Sequence, residues 1–370
     1  YFDVAASPGG LLWWGNHYYV SRETGGAVFF TGENPPQPVD DRHASAPLHE
    51  TRPLPVPWTL LHSLEPERTI RALRAHVGHL VDGPEPGCFN RHADGKRSHA
   101  FLEAGGLLAL SQAHLAVLAG DGQAARRARE VAEFSFRFRD ADTGLLPVSP
   151  LLERWDLHTA TSETGLWTGA LLACARLLDD GRLSEIACDA LRDWLRRAWR
   201  PAAGRYAGRT HVRTGQHDAG PKTTLYQPGT WSDPWEALFP NHDYPLQTAE
   251  ACLDAWRLRR EPVFAEACER WAAVLAETTP AANGRGAYAE SYGRAIHFLR
   301  RAGATLEKPA LLTQARALAD EALAVLARDG RLASHPWESR VEAVDGMGWL
   351  IVALLALESG QEPNAGGMFW

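Results

Sequence analysis

The stretch Gly87-Cys88-Phe89-Asn90-Arg91-His92-Ala93-Asp94-Gly95-Lys96-Arg97-Ser98-His99 carries an amide, two histidines and three cations. A connection between helices requires none of these, so the stretch is expected to form one wall of a site for an anionic ligand. Asn90 and His92 are its expected working pair, with Lys96, Arg97 and His99 as a solvated rim. Further polar clusters follow the same logic. His49 and Glu50 stand side by side in a proline-rich segment. In Thr161-Ser162-Glu163-Thr164-Gly165-Leu166-Trp167, Ser162 suits a helix cap and Glu163 suits the positive helix N-terminus, with a site role as the alternative. In Tyr288-Ala289-Glu290-Ser291-Tyr292-Gly293-Arg294 the i, i+4 spacing puts Tyr288 and Tyr292 on one helical face and Glu290 and Arg294 on another. Glu342 opens the last apolar helix, and Asp345, one turn inside it, needs partners if buried.

Tyr, His, Asn and Arg together suit abstraction of a proton next to a carboxylate. Amide, imidazole and guanidinium donors stabilise the enolate-like charge that develops. A Tyr or His takes the proton, and an acid protonates the leaving oxygen. Cleavage of a uronic-acid glycan by β-elimination uses this chemistry. Glycoside hydrolysis instead needs two carboxylates flanking the bond, and Glu163, Glu290, Glu342 and Asp345 keep that rival open. A sugar epimerase working through paired histidines and a non-catalytic glycan-binding protein are further alternatives. The sequence contains no GxGxxG after a strand, no P-loop, no HExxH and no GxSxG. His76 and His79 are spaced i, i+3 and could share a metal or line a groove, but no metal and no cofactor is assigned.

The elements that position these clusters are mostly helical. Apolar spacing of i, i+3, i+4 predicts helices over 58–63, 66–81, 99–118, 122–139, 162–178, 182–199, 246–260, 262–278, 287–305, 309–328 and 342–358. Short Gly or Pro breaks join neighbours into antiparallel hairpins. Helices 99–118, 162–178 and 342–358 are apolar nearly all round and contain glycines, so they are expected inside. Helices 122–139, 182–199 and 309–328 are rich in Arg and Glu and are expected outside. A Gly break recurs after the polar helices, at Asp142-Thr143-Gly144, Ala203-Gly204-Arg205-Tyr206 and Asp329-Gly330-Arg331-Leu332. This pattern predicts an all-α, (α/α)6-like toroid whose long loops gather at one end. The longest loop, 200–245, holds Arg205, Arg209, His211, Arg213, His217, Lys222, Tyr226, Trp231, Trp235, His242 and Tyr244. Residues 1–35 predict a short N-terminal β ribbon, with aromatic or β-branched runs at 11–14, 17–20 and 27–30 separated by Gly pairs. The expected organisation is an N-terminal β and loop segment, 1–57, packed on a toroidal catalytic domain, 58–370.

Composition bounds the partners. The 370 residues carry a net charge of −7, which argues against nucleic acid or an acidic membrane as partner. No apolar run is expected to reach the length of a membrane span, and no signal peptide is visible. Core packing should claim most of the 14 tryptophans, although indole faces also stack on sugar rings. The five cysteines lack CxxC spacing and favour a reducing compartment, while a start at Tyr1 suggests processing or truncation and leaves secretion open.

Gly10-Leu11-Leu12-Trp13-Trp14-Gly15-Asn16-His17-Tyr18-Tyr19, His49-Glu50, Asn90-Arg91-His92, Ser162-Glu163-Thr164-Gly165-Leu166-Trp167, Tyr288 to Ile296 and Glu342-Ala343-Val344-Asp345-Gly346 occur in this order. Together they resemble the bacterial pectate-lyase-like proteins of the six-hairpin, α/α-toroid type, over nearly the whole chain. The resemblance implies a lyase acting on an anionic, uronate-containing oligo- or polysaccharide. It places Asn90 and His92 near the substrate carboxylate, with Arg294 neutralising it. It makes Tyr292 or Tyr288 the base or acid, with His49 or His242 as the other partner. Glu50, Arg91, Glu163, Trp167, Tyr226, Trp231, His242, Tyr244, Tyr288 and Asp345 form the expected substrate-binding set.

Overall fold

The structure is a computed structural model. It describes residues 2–6, 10–12, 18–29, 37–38, 49, 51, 56–153, 155–221, 229–236, 245–339, 341 and 346–362. Glu50, Tyr226, His242, Tyr244 and Asp345 of the expected site lie outside the described residues, as do Lys222 and Glu342.

Helices dominate, in the order α1 (Phe2–Ala5), α2 (Trp58–Leu64), α3 (Pro66–Ala75), α4 (Leu102–Ala119), α5 (Gly122–Phe136), α6 (Thr161–Leu178), α7 (Gly181–Ala198), α8 (Leu246–Arg259), α9 (Pro262–Glu277), α10 (Ala289–Thr305), α11 (Pro309–Leu326) and α12 (Met347–Ser359). Most begin and end within a few residues of the periodic runs in the sequence. The N-terminal ribbon is a three-stranded antiparallel sheet of Tyr18–Val20, Ala27–Phe29 and Gln37–Pro38, with Tyr18 opposite Phe29 and Val28 opposite Pro38.

The chain divides into two compact units. One comprises Tyr1–Thr159, Ala170–Ala190 and Ala365–Met368; the other comprises Ala160–Gly169, Leu191–Asn364 and Phe369–Trp370.

In the first unit, α4 and α5 form a hairpin. Gly120 takes a left-handed conformation at the turn, and the Asp121 carboxylate accepts the Gln123 and Ala124 N–H groups as the cap of α5. From Leu102 to Ala116 every side chain of α4 is buried, whereas α5 buries mainly Ala124, Ala128, Val131, Ala132 and Phe134. By length and composition α4 is long and apolar enough to cross a bilayer, which corrects the expectation that no apolar run reaches that length. With 78% of it buried inside the protein, it serves as a core helix. Leu12, Trp58, Ala72, Leu73, Leu115, Ala116 and Ala124 make one apolar cluster beside it. Asp180 caps α7 through the Arg182 and Leu183 N–H groups and accepts Arg129 Nε at 2.9 Å, tying α5 to the start of α7.

In the second unit, α8 pairs with α9, and α10 packs on both α11 and α12. The apolar helices meet through glycine. A Cβ on Gly165 would lie 2.3 Å from Thr248 Oγ1, and one on Gly293 would lie 2.5 Å from the backbone of Trp349 and Leu350. The recurring Gly break has a structural counterpart here. After α7, Trp199–Arg200 pairs with Arg205–Tyr206, and after α11, Ala327–Arg328 pairs with Arg331–Leu332. α7 and α11 therefore each lead into a two-stranded hairpin turned by glycine. Tyr206 lies between Trp194 and Trp271, at centroid distances of 5.3 and 4.8 Å, so core packing claims both indoles.

Two boundaries differ from expectation for local reasons. The helix read over 66–81 stops at Ala75 and continues as a 3-10 turn, His76–His79, because Leu80 then pairs with Phe89 and Val81 N–H donates to Cys88. The helix read from 99 starts at Leu102, because the Arg91 N–H takes the His99 carbonyl into an extended pairing.

Candidate functional site

The Gly87–His99 stretch folds as a loop braced by the end of α3 and the start of α4. Asn90 is its hub. The amide is fully buried and donates to Asp94 Oδ1 at 2.7 Å, to the Lys96 carbonyl at 2.9 Å and to Ser98 Oγ at 3.1 Å. Its Oδ1 accepts the His92 N–H at 2.9 Å. Both amide hydrogens and the amide oxygen are thus committed inside the loop. The sequence reading put Asn90 on the substrate carboxylate; in the structure it shapes the loop.

Behind Asn90 runs a buried chain of imidazoles. His79 Nδ1 donates to the Asn90 carbonyl at 2.8 Å, which leaves Nε2 as an acceptor. His49 Nδ1 therefore donates to His79 Nε2, at 2.6 Å. His76 Nδ1 donates to the Ala72 carbonyl at 2.8 Å, and its ring packs edge-on against Trp58. Burial holds all three imidazoles neutral. It lowers His76 from 6.5 to about 4 and His79 to about 3, and it drives His49 well below its ordinary value, with the neighbouring histidines adding to the effect on His49 and His79. His49, read as an acid–base partner, is enclosed here as a support of the loop.

Arg91, His92 and His99 are half-buried. Arg91 Nε donates to His92 Nε2 at 3.3 Å, and its guanidinium lies 4.5 Å over the Phe101 ring. The His92 and His99 rings are 4.7 Å apart, and His99 Nδ1 hydrogen-bonds with Ser98 Oγ at 2.9 Å. Trp155 flanks Phe101 at 5.8 Å. The arrangement is two imidazoles side by side next to a guanidinium, backed by aromatic rings. Lys96 and Arg97 turn away to Asp94 and Glu85, at 3.6 and 2.7 Å, as a rim. Sequence reasoning placed His99 on that rim and passed over Phe101 and Trp155. The extended pairing of Arg91 with His99 brings these residues together, and no helical periodicity signals it.

The second unit holds the other expected residues. Tyr292 is buried, its hydroxyl donates to Glu321 Oε1 on α11 at 2.9 Å, and its ring packs on Trp235. Burial, reinforced by that carboxylate, raises the phenol well above its ordinary range. A base needs the opposite shift, so these surroundings disfavour the base half of the base-or-acid role expected of Tyr292 and leave the acid half open. Arg294 is also buried, bonded to Glu290 Oε1 by Nε at 2.8 Å and lying 3.9 Å over the Trp349 ring. Tyr288 is 41% exposed and donates to Glu338 Oε1 at 2.8 Å. The three residues share α10 or its cap, yet they point to different partners and do not converge. Trp167 is fully buried in α6, and Glu163 is buried in its first turn. Trp231 is half-buried, its ring 4.4 Å from that of His217. Arg209 is enclosed and bonded to Asp218 at 2.7 Å, which removes it from the expected loop surface.

No protein-family model matches the chain. No curated protein matches it either. Solved structures do. Cellobiose 2-epimerase from Bacillus thermoamylovorans superposes with a TM-score of 0.56 at 8% identity, covering 82% of this chain and 85% of that one. Unsaturated glucuronyl hydrolase from Bacillus sp. GL1 gives 0.55 at 14% identity, covering 85% and 86%. The GH76 α-mannanase from Bacteroides thetaiotaomicron gives 0.52 at 12% identity, covering 82% and 81%. These are carbohydrate-active enzymes of one architecture, and at such identities the likeness establishes the fold: this chain is an α/α toroid.

Proposed function

We propose that this chain is a carbohydrate-active enzyme that removes a weakly acidic proton from a sugar carbon next to a carboxyl or carbonyl group. The observation that carries this reading is the half-buried pair His92 and His99, 4.7 Å apart, with Arg91 beside them. One imidazole takes the proton and the other returns one, while the guanidinium neutralises the developing charge. The leading substrate class is a uronate-containing glycan. There the C5–H and C4–O bonds break, a C4=C5 double bond forms, and the leaving oxygen takes a proton. The pectate-lyase resemblance supports this version. Paired histidines equally suit 2-epimerisation of a reducing sugar, and the likeness to cellobiose 2-epimerase supports that second version. Hydrolysis by a carboxylate pair is a third version, and the likeness to the GH76 α-mannanase and to unsaturated glucuronyl hydrolase supports it.

Incubation with polygalacturonate, alginate and glycosaminoglycans, followed at ~235 nm for the unsaturated uronate, tests the lyase version. Cellobiose and mannose in heavy water, followed by NMR for exchange at C2, test the epimerase version. Release of reducing ends without either signal would overturn proton abstraction and favour hydrolysis.

A further inference from the structure

Most indoles in this protein are covered, but Trp337 is 71% exposed, the most exposed large hydrophobic side chain among the described residues. It does not sit on a loose segment. The Ala289 N–H at the start of α10 donates to the Ser334 carbonyl at 2.9 Å, and Glu338 N–H donates to the His335 carbonyl at 3.1 Å. The Arg328 guanidinium donates to the carbonyls of Pro336 and Glu338. Side chains add to this bracing. Trp337 N–H donates to His335 Nδ1 at 3.3 Å, which puts the imidazole proton on Nε2. The His335 ring stands edge-on to Trp337, at 5.3 Å and 76°, and packs on Tyr288 at 4.7 Å. Gly286 forms its floor: a Cβ there would come within 2.6 Å of the imidazole. With its backbone braced in this way and its ring exposed, Trp337 offers a flat platform with the His335 ring as a perpendicular wall. The Tyr288 hydroxyl and the Glu338 carboxylate, bonded at 2.8 Å, supply a polar rim.

We infer that Trp337, His335, Tyr288 and Glu338 form a sugar-binding platform of the second unit that takes a neutral pyranosyl residue. The carbon-bound hydrogens of a pyranose ring match an indole face, and its hydroxyls match an acceptor and donor rim. The carboxylate at that rim disfavours a uronate, whose own carboxylate would meet Glu338. The inference rests on the carbohydrate-active reading and adds a neutral subsite outside the histidine pair.

Calorimetric titration of the full chain with cellotetraose, α-1,6-mannotetraose and tetragalacturonate tests it. At least one neutral tetrasaccharide should bind. Trp337→Ala should weaken that binding by about tenfold or more and Trp337→Phe by less than about threefold, with unchanged thermal midpoints, because the ring face is the contact. Equal affinity in Trp337→Ala, binding of tetragalacturonate alone, or binding of none overturns the platform. A change in sedimentation on Trp337→Ala also overturns it, by marking a contact between copies. If Trp337→Ala binds like the parent while turnover of any glycan persists, the platform falls and the carbohydrate-active reading stands. If no tetrasaccharide binds and no glycan is turned over, both fall.

Discussion

The buried imidazole chain should make the first unit labile to mild acid. His49, His76 and His79 are neutral in the folded protein, with His76 lowered to about 4 and His79 to about 3 from an ordinary 6.5. Among the described residues, the side chains that act on His49 and His79 electrostatically are other histidines, which oppose a proton gained there. Once unfolded, each imidazole binds a proton below about pH 6.5, while the folded form does not. Stability is therefore complete above that pH and is lost as the pH falls towards the folded values. Between pH 7 and pH 5 His76 and His79 each cost about 2 kcal/mol, about 4 together, and His49 adds in the same direction. That is a large share of the about 5–15 kcal/mol that holds a domain together. Hydrogen exchange on peptides spanning 66–79, corrected for the intrinsic pH dependence, reads the local opening free energy. It should fall steeply from pH 7 to pH 5, and His76→Gln, which keeps a donor for the Ala72 carbonyl, should lower the slope by about one proton. A flat profile, or an unchanged slope in His76→Gln, would refute the reasoning that burial keeps these groups neutral.

Three further outcomes follow from local contacts. Asn90→Ala removes the hub of the loop and leaves the His92 N–H without its acceptor, so it should lower stability by about 3 kcal/mol in urea titration. Gly293→Ala forces a methyl to within 2.5 Å of the α12 backbone. The overpacking, about 1–3 kcal/mol, should outweigh the helix-propensity gain and lower the urea midpoint. Arg301→Met strands the buried carboxylates Glu250 and Asp254 and should cost about 3–5 kcal/mol at neutral pH. Burial already raises Glu250 to about 7, so this deficit, read by calorimetry, should shrink as the pH is lowered to 6.

The helical scaffold was legible because periodicity reports which face of a helix is covered. Leu102–Ala119 reads as apolar all round because it is buried all round, and Gly165 and Gly293 read as small because backbones approach there. The ends were less legible. Tyr288 sits in extended conformation as the cap of α10, and Gly346 takes a left-handed conformation ahead of α12. Both boundaries rest on backbone dihedrals that side-chain periodicity does not encode.

The sequence offers many candidate site residues without ranking them, and the reason is that hydrogen-bond saturation is not visible in it. Asn90, His92, Tyr292 and Arg294 all have side chains that could serve an anion, and the sequence ranks them alike. Folding separates them by filling their bonds. Asn90 has given its amide hydrogens and oxygen to the loop. Tyr292 has given its hydroxyl to Glu321, and Arg294 is held by Glu290 under burial. His92 and His99 sit at half-burial, accessible to a ligand yet steadied by Arg91 and Ser98. A buried polar side chain whose bonds are already filled has little left to offer a ligand. The residues fit for chemistry are those whose partners fix their orientation while leaving a face open, and that property belongs to the fold.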